Sequence, residues 1–275
     1  MNLKNVKEGE LKEIFDVLEQ AFQETGIDFY LIGAVARDIW YARGKKGLRK
    51  TNDIDFAVLI GSVADYIAVG QYLKEHNFFG VSDGKMLMIH APSGVRVDIL
   101  PFGNFEIDEM LQFNGQGFKE VHAVGTEAVY LETGHSFEVA TLPSIVLLKL
   151  IAYDDRPDQR LKDVIDIANI IDHFFDLQTD LIYSDSNLDL FESAHADFED
   201  TNLQFISAIV IGREIKKIVH DNADLITRIR LILKRHIELK ENSELVRKMS
   251  SETEVGTDQI VEWLQALLLG ITEYH

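Results

Sequence analysis

The stretch that decides the fold is DIDFAVLI at residues 53–60, in which acidic and apolar residues alternate before an apolar run. Side chains two residues apart in a β-strand point to the same face, so Asp53 and Asp55 form an acidic edge on an otherwise β-forming segment. Their positions are about 6.5–7 Å apart along such a strand. The spacing predicts that the two carboxylates can hold metal cations between them.

The segment LIGAVARD at residues 31–38 lies upstream and predicts a strand that passes into a helix at Gly33. A glycine at such a turn lets backbone N–H groups and the helix N-terminus face an anion, which predicts phosphate binding at Gly33 and Ala34. Arg37 has two interpretations. It lies near phosphates at the start of the helix, or it forms a structural ion pair.

The segment RVDIL at residues 96–100 is a second alternating strand, and a turn at 91–94 joins it to a strand at 85–90. If it neighbours the first strand, Asp98 completes a set of three carboxylates. Mg²⁺ prefers oxygen ligands and leaves positions open for substrate phosphates, and Mn²⁺ is the alternative. We therefore expect a two-metal site for a nucleoside triphosphate, with cations about 3.5–4 Å apart.

The pattern of secondary structure changes near residue 141. Strands and helices alternate before it, with short strands and Gly-containing loops over 112–138, whereas apolar residues recur at helical spacing after Pro143. The sequence predicts an α/β domain at 1–141, with a mixed sheet and flanking helices. It also predicts an all-helical domain at 142–275, which we expect to close a nucleotide cleft.

Composition excludes several classes of protein. The net charge of −19, from 46 acidic and 27 basic residues, opposes nonspecific binding to nucleic acid, although residues 213–248 carry ten basic against six acidic side chains. The absence of cysteine excludes thiolate zinc sites and cysteine nucleophiles. No apolar run reaches the roughly 20 residues of a membrane span, and the N-terminus lacks a signal-peptide pattern. We expect a cytoplasmic protein with no membrane partner.

Two pairs of motifs resemble a known superfamily. LIGAVARD followed by NDIDF at 52–56 resembles the signature of nucleotidyltransferases with a polymerase-β-like fold. LLKLIA at 147–152 and RLKDVIDI at 160–167 are similar to the third and fourth motifs of AbiEii-like nucleotidyltransferases, the toxins of type IV toxin–antitoxin pairs. The resemblance covers residues 29–171. The flexible-loop and template motifs of tRNA-end-adding enzymes do not follow Asp98.

The resemblance implies transfer of a nucleoside monophosphate from a triphosphate to an acceptor hydroxyl, with release of pyrophosphate. The acceptor could be RNA, protein or a small molecule, and an antitoxin protein could be a partner. The resemblance also implies that Lys149 contacts the triphosphate, while Asp163 or Asp166 supports the active-site wall or orients Lys149. The alternative is a pair of surface contacts, Arg160–Asp163 and Lys162–Asp166, each worth about a few tenths of a kcal/mol.

One position departs from the superfamily pattern. The family usually has a second glycine followed by Ser or Thr, whereas this chain has Ala34 and Val35. The missing hydroxyl removes one phosphate contact and leaves that work to backbone N–H groups. A second hypothesis follows, in which the chain is a catalytically silent member that binds nucleotide or a protein through the same fold.

Overall fold

A computed structural model of the chain describes residues 8–44, 53–80, 86–103, 115–191 and 203–273, so Asn52 of the sequence motif lies outside the described residues. The chain divides into two compact units, Met1–Thr141 and Leu142–His275. The first unit contains α1 (Glu8–Thr25), β1 (Phe29–Ile32), α2 (Gly33–Arg43), β2 (Asp53–Leu59), α3 (Val63–Glu75), β3 (Phe78–Gly80), β4 (Met86–His90), β5 (Arg96–Phe102), α4 (Phe118–Val124), β6 (Thr126–Tyr130) and β7 (Ser136–Ala140).

The seven strands of the first unit form one mixed sheet in the order β3-β4-β5-β2-β1-β7-β6. β2 pairs in parallel with β5, and β1 pairs in parallel with β7, while the other neighbours are antiparallel. The pairing of β2 with β5 matters most for the site, because these two strands carry the predicted aspartates.

The two faces of β2 differ in character because its residues alternate. Ile54, Phe56 and Val58 are fully buried. On that side of the sheet, the Phe56 ring packs edge-to-face on Phe15 of α1, with centroids 6.4 Å apart. Burial of these apolar side chains fixes the register, since a slip of one residue would turn the aspartates into the core. Asp53 and Asp55 therefore stay on the opposite, partly exposed face.

The second unit is helical. Its first helix is apolar around its whole circumference and almost entirely buried, as expected for a central helix. The described part of the second unit contains α5 (Leu142–Asp155), α6 (Leu161–Leu177), α7 (Thr179–Ile182), α8 (Leu203–Val219), α9 (Ala223–Leu239), α10 (Glu244–Thr253) and α11 (Thr257–Thr272), with 3₁₀ turns at Pro157–Gln159, Asp185–Phe191 and Lys240–Asn242.

The predicted fold class, a mixed sheet with flanking helices followed by a helical part, is confirmed. The region 112–138 differs from its prediction, because Phe118–Val124 forms the helix α4. Phe118 and Val121, three residues apart, are the buried residues of that helix, and so short a pattern is hard to recognise in a sequence. No helix among the described residues is long and apolar enough to cross a membrane. The predicted role of the helical part in closing a nucleotide cleft stays a prediction.

Candidate functional site

Three aspartates lie on one face of the sheet in the first unit. In the parallel pairing of β2 with β5, Asp55 is the register partner of Asp98, and Asp53 is the partner of Arg96. Aligned residues of neighbouring strands point to the same side, and strands lie about 4.8 Å apart. The burial pattern agrees, because Val97 between Arg96 and Asp98 is fully buried. Two strands thus bring three acidic residues and one basic residue together.

Gly33 forms the start of α2 beside this acidic face. β1 ends at Ile32, the antiparallel partner of Asp55, and the chain turns directly into the helix at Gly33. Gly33 has φ +69°, in the left-handed region, and a Cβ built there would lie 2.2 Å from Asp55 Oδ2. Only glycine allows the backbone to approach this carboxylate so closely. The predicted strand-to-helix turn therefore touches the predicted carboxylate site.

The three carboxylates suit a hard cation in their chemistry and in the face that they share. Among the described residues, however, no three His, Asp or Glu side chains converge closely enough to hold a metal ion. Asp53 Oδ1 instead lies 3.3 Å from Arg96 Nε. Both side chains are about half exposed, at 45% and 48%. To bind a common ion, these carboxylates would have to turn towards it by rotation about their side-chain torsions.

Arg37, predicted near phosphates, lies inside the first unit. It is 3% exposed, and its Nε and Nη2 donate to Asp38 Oδ1 at 2.9 and 2.5 Å. Its guanidinium also lies 5.7 Å from the centroid of the Tyr41 ring. These contacts match the structural ion pair, the other interpretation of this residue. Contact of Arg37 with a nucleotide stays a prediction.

The two residues that depart from the superfamily pattern differ in their surroundings. Ala34 is partly exposed in the first turn of α2, where its backbone N–H belongs to the helix N-terminus. Val35 is only 1% exposed. A hydroxyl at position 35 would therefore lie in the core, so its absence removes no outward-facing group.

Lys149, Asp163 and Asp166 come together in the second unit. Lys149 on α5 donates from Nζ to Asp163 Oδ1 at 2.6 Å, and Asp166 Oδ2 of α6 lies 2.8 Å from the same nitrogen. All three residues are buried. Arg160 Nη1 lies 3.6 Å from Asp163 Oδ2, which agrees with the predicted surface pair for that residue. Asp166 is paired with Lys149, although the surface alternative pairs it with Lys162.

The charge of Lys149 depends on these two carboxylates. Burial removes water from the ammonium and by itself lowers the pKa of Lys149, but the charges of Asp166 and Asp163 outweigh that effect. The pKa of Lys149 is consequently raised, and the ammonium stays protonated. The cluster joins α5 to α6 through charge-assisted hydrogen bonds.

The predicted residues thus form two groups. Asp53, Asp55, Asp98 and Gly33 meet in the first unit, and Lys149 meets both of its predicted aspartates in the second. Sequence reasoning missed Arg96 as a neighbour of Asp53. The sequence did indicate this position, because Arg96 is two residues before Asp98 and therefore lies on the same face of the strand.

Comparisons with known structures give distant matches. No protein-family model matches the chain, and no curated protein matches its sequence. A solution structure of the antibiotic-resistance factor ANT(2'')-Ia is 14% identical with a TM-score of 0.40, over 70% of this chain and 97% of that one. A crystal structure of ANT(2'')-Ia in complex with adenylyl-2''-tobramycin is 13% identical with a TM-score of 0.39, over 68% and 98%. Similarity at this level assigns no function to the chain.

Proposed function

We propose that the chain is a metal-dependent nucleotidyltransferase, which moves a nucleoside monophosphate from a triphosphate to an acceptor hydroxyl and releases pyrophosphate. The observation that carries the proposal is the register of β2 with β5. It places Asp98 opposite Asp55 and on the same face as Asp53. Three carboxylates and a single arginine on one partly exposed face leave an excess of negative charge, which a bound cation would reduce.

In this proposal Asp53 and Asp55 hold Mg²⁺ or Mn²⁺, and Asp98 completes the ligand set. The metal supplies positive charge that stabilises the transferring phosphoryl group. Asp98 lies next to Asp55 and favours loss of the proton from the acceptor hydroxyl. Backbone N–H groups at Gly33 and Ala34 bind phosphate oxygens, since the helix N-terminus favours negative charge. RNA, a protein and a small molecule all remain candidates for the acceptor.

The catalytically silent alternative rests on Val35. Because that side chain is buried, the missing hydroxyl carries less weight than it does in the sequence alone. A silent member would also have no physical need for three acidic residues on one face of the sheet. We therefore favour the active enzyme.

A finer form of the proposal is an AbiEii-like toxin with an antitoxin partner. The observation that favours it is the meeting of Lys149 with Asp163 and Asp166, which connects the two motifs on which that resemblance depends. Expression of the chain in a bacterium, alone and with a neighbouring gene product, tests it. Arrested growth that depends on Asp98 would support the toxin, and harmless expression of folded protein would contradict it.

The test of the enzyme itself is transfer of label. Each of the four nucleoside triphosphates, labelled at the α-phosphate, is incubated with Mg²⁺ and with total RNA, protein extract or small-molecule extract. We expect one acceptor class to become labelled by the wild type and by Asp28→Asn, which changes an exposed acidic residue in the same unit. The Asp98→Asn variant should not label this acceptor class. Labelling that survives Asp98→Asn, or no labelling in any pool, would contradict the proposed reaction.

A further inference from the structure

The basic residue of the acidic face, Arg96, is the least explained part of the site. It is the register partner of Asp53, and its Nε lies 3.3 Å from Asp53 Oδ1. The pair is about half exposed. Such surface pairs contribute about 0–1 kcal/mol, so stability gives little reason for an arginine at this position.

The guanidinium of Arg96 also has donors to spare. It makes no hydrogen bond to any residue that the structure describes, and its contact with Asp53 is an ion pair alone. An arginine offers five N–H donors in a planar fork that suits phosphate oxygens. Arg96 is therefore a cation with unused donors, on the face that we assign to metal and triphosphate.

We propose that Arg96 makes metal binding conditional on nucleotide, an inference that rests on the proposed function. Without nucleotide, the guanidinium of Arg96 pairs with the Asp53 carboxylate, and its positive charge repels a divalent cation. With nucleotide, the negative phosphates attract both the cation and the guanidinium, which then contacts a phosphate oxygen in place of Asp53. Arg96 is thus a specificity-determining residue that disfavours bare metal and favours the metal–nucleotide complex.

The size of the effect follows from electrostatics. A unit positive charge a few ångströms from a divalent cation weakens binding about tenfold, even at the dielectric constant of water. Removal of that charge should strengthen binding of bare metal by about the same factor. If the affinity for metal in the presence of nucleotide is not raised as well, the enhancement of metal binding by nucleotide falls by a similar factor. Thermodynamic linkage then requires an equal fall in the enhancement of nucleotide binding by metal.

The test measures binding of Mn²⁺ to the full chain, with and without non-hydrolysable analogues of the four nucleoside triphosphates. The variants are Arg96→Gln and Arg96→Lys, and Arg43→Gln is the matched control. Arg43 pairs with Glu127 at 3.2 Å, and the two side chains are 47% and 53% exposed. That pair closely resembles Arg96–Asp53 but lies between α2 and β6. Melting curves verify that each variant is folded.

We expect Arg96→Gln to bind Mn²⁺ alone about tenfold more tightly than the wild type, and to show about tenfold less enhancement by nucleotide. Arg96→Lys and Arg43→Gln should stay within about twofold of the wild type. Wild-type affinity of Arg96→Gln for Mn²⁺ alone would overturn the inference. The Asp53→Asn variant tests the proposed function separately. If its affinities for Mn²⁺ and for nucleotide equal those of the wild type, the proposed metal site is wrong.

Discussion

The acidic face of the first unit and the lysine cluster of the second contain similar residues in opposite states. The acidic face has three aspartates and one arginine, is partly exposed, and retains an excess of negative charge. The lysine cluster has one lysine between two aspartates, is buried, and is held by contacts of 2.6 and 2.8 Å. Excess charge at an accessible surface suits ligand binding, whereas paired charge in a core suits a fixed structure.

The largest effect should come from the lysine cluster. Lys149→Met removes the ammonium and leaves Asp163 and Asp166 buried without it, so the free energy of unfolding should fall by about 3–5 kcal/mol. Urea denaturation measures this. Lys217→Met is the control, because Lys217 is 56% exposed in its pair with Glu214, and its loss should cost less than about 1 kcal/mol. If Lys149→Met keeps wild-type stability but loses nucleotide affinity, Lys149 instead contacts the triphosphate.

The acidic face should show the reverse pattern. Asp98→Asn should lower the rate of nucleotide transfer by about a hundred- to thousandfold, the usual range for loss of one stabilising group. Its stability should stay within about 0.5 kcal/mol of the wild type, since Asp98 is only partly buried. Transfer rates and urea denaturation on the same samples separate the two effects. If Asp98→Asn is active but less stable than the wild type, Asp98 stabilises the fold and does not act in catalysis.

The turn at Gly33 tests how the acidic face is shaped. Gly33→Ala places a Cβ 2.2 Å from Asp55 Oδ2, so it should displace that carboxylate and weaken Mg²⁺–nucleotide binding by about tenfold. Gly26→Ala is a close control, because its φ is +66° and no atom lies within 4 Å of the added Cβ. Both variants should lose about 1–2 kcal/mol of stability from backbone strain. Equal nucleotide affinity in the two variants would contradict the role of Gly33.

The smallest expected effect concerns pH and a half-buried histidine of the second unit, His236. Burial and the charge of Arg235 lower the pKa of His236 to about 4, whereas an unfolded histidine titrates near 6.5. The unfolded state therefore binds a proton first, and stability is lost as pH falls from about 6.5 to 4. Allowing for solvent screening, this group should account for roughly 1–2 kcal/mol.

The measurement is the free energy of unfolding against pH for the wild type and for His236→Asn. The difference between the two curves should change through that pH range and be flat above it. His220→Asn, at a histidine that is 59% exposed, serves as the control. Parallel curves for the wild type and His236→Asn would show that burial does not govern this titration.

Local patterns predicted much of this architecture. Alternation of acidic and apolar residues predicted strands at 53–60 and 95–100, and the structure has β2 at Asp53–Leu59 and β5 at Arg96–Phe102. Apolar residues at helical spacing predicted the helices α5 and α6, although α5 is in fact apolar on all sides. Such elements are predictable because their periodicity reflects which face is buried.

Pairings between distant segments were harder to predict. The sequence allowed a neighbouring strand to bring Asp98 beside Asp55, but the parallel register depends on tertiary packing. The contact between Arg96 and Asp53 follows only from that register. The sequence also did not determine whether Arg37 is buried, because an arginine near the start of a helix can contact a ligand or form an ion pair.

The most direct test of the central claim is calorimetric titration of nucleoside triphosphates, with and without Mg²⁺, into the wild type and Asp53→Asn/Asp55→Asn. Asp28→Asn is the control for loss of an exposed negative charge. We predict Mg²⁺-dependent binding by the wild type and by Asp28→Asn, and none by the double variant. Absence of binding by folded wild-type protein, or equal binding by the double variant, would contradict the assignment of the acidic face as a metal–nucleotide site.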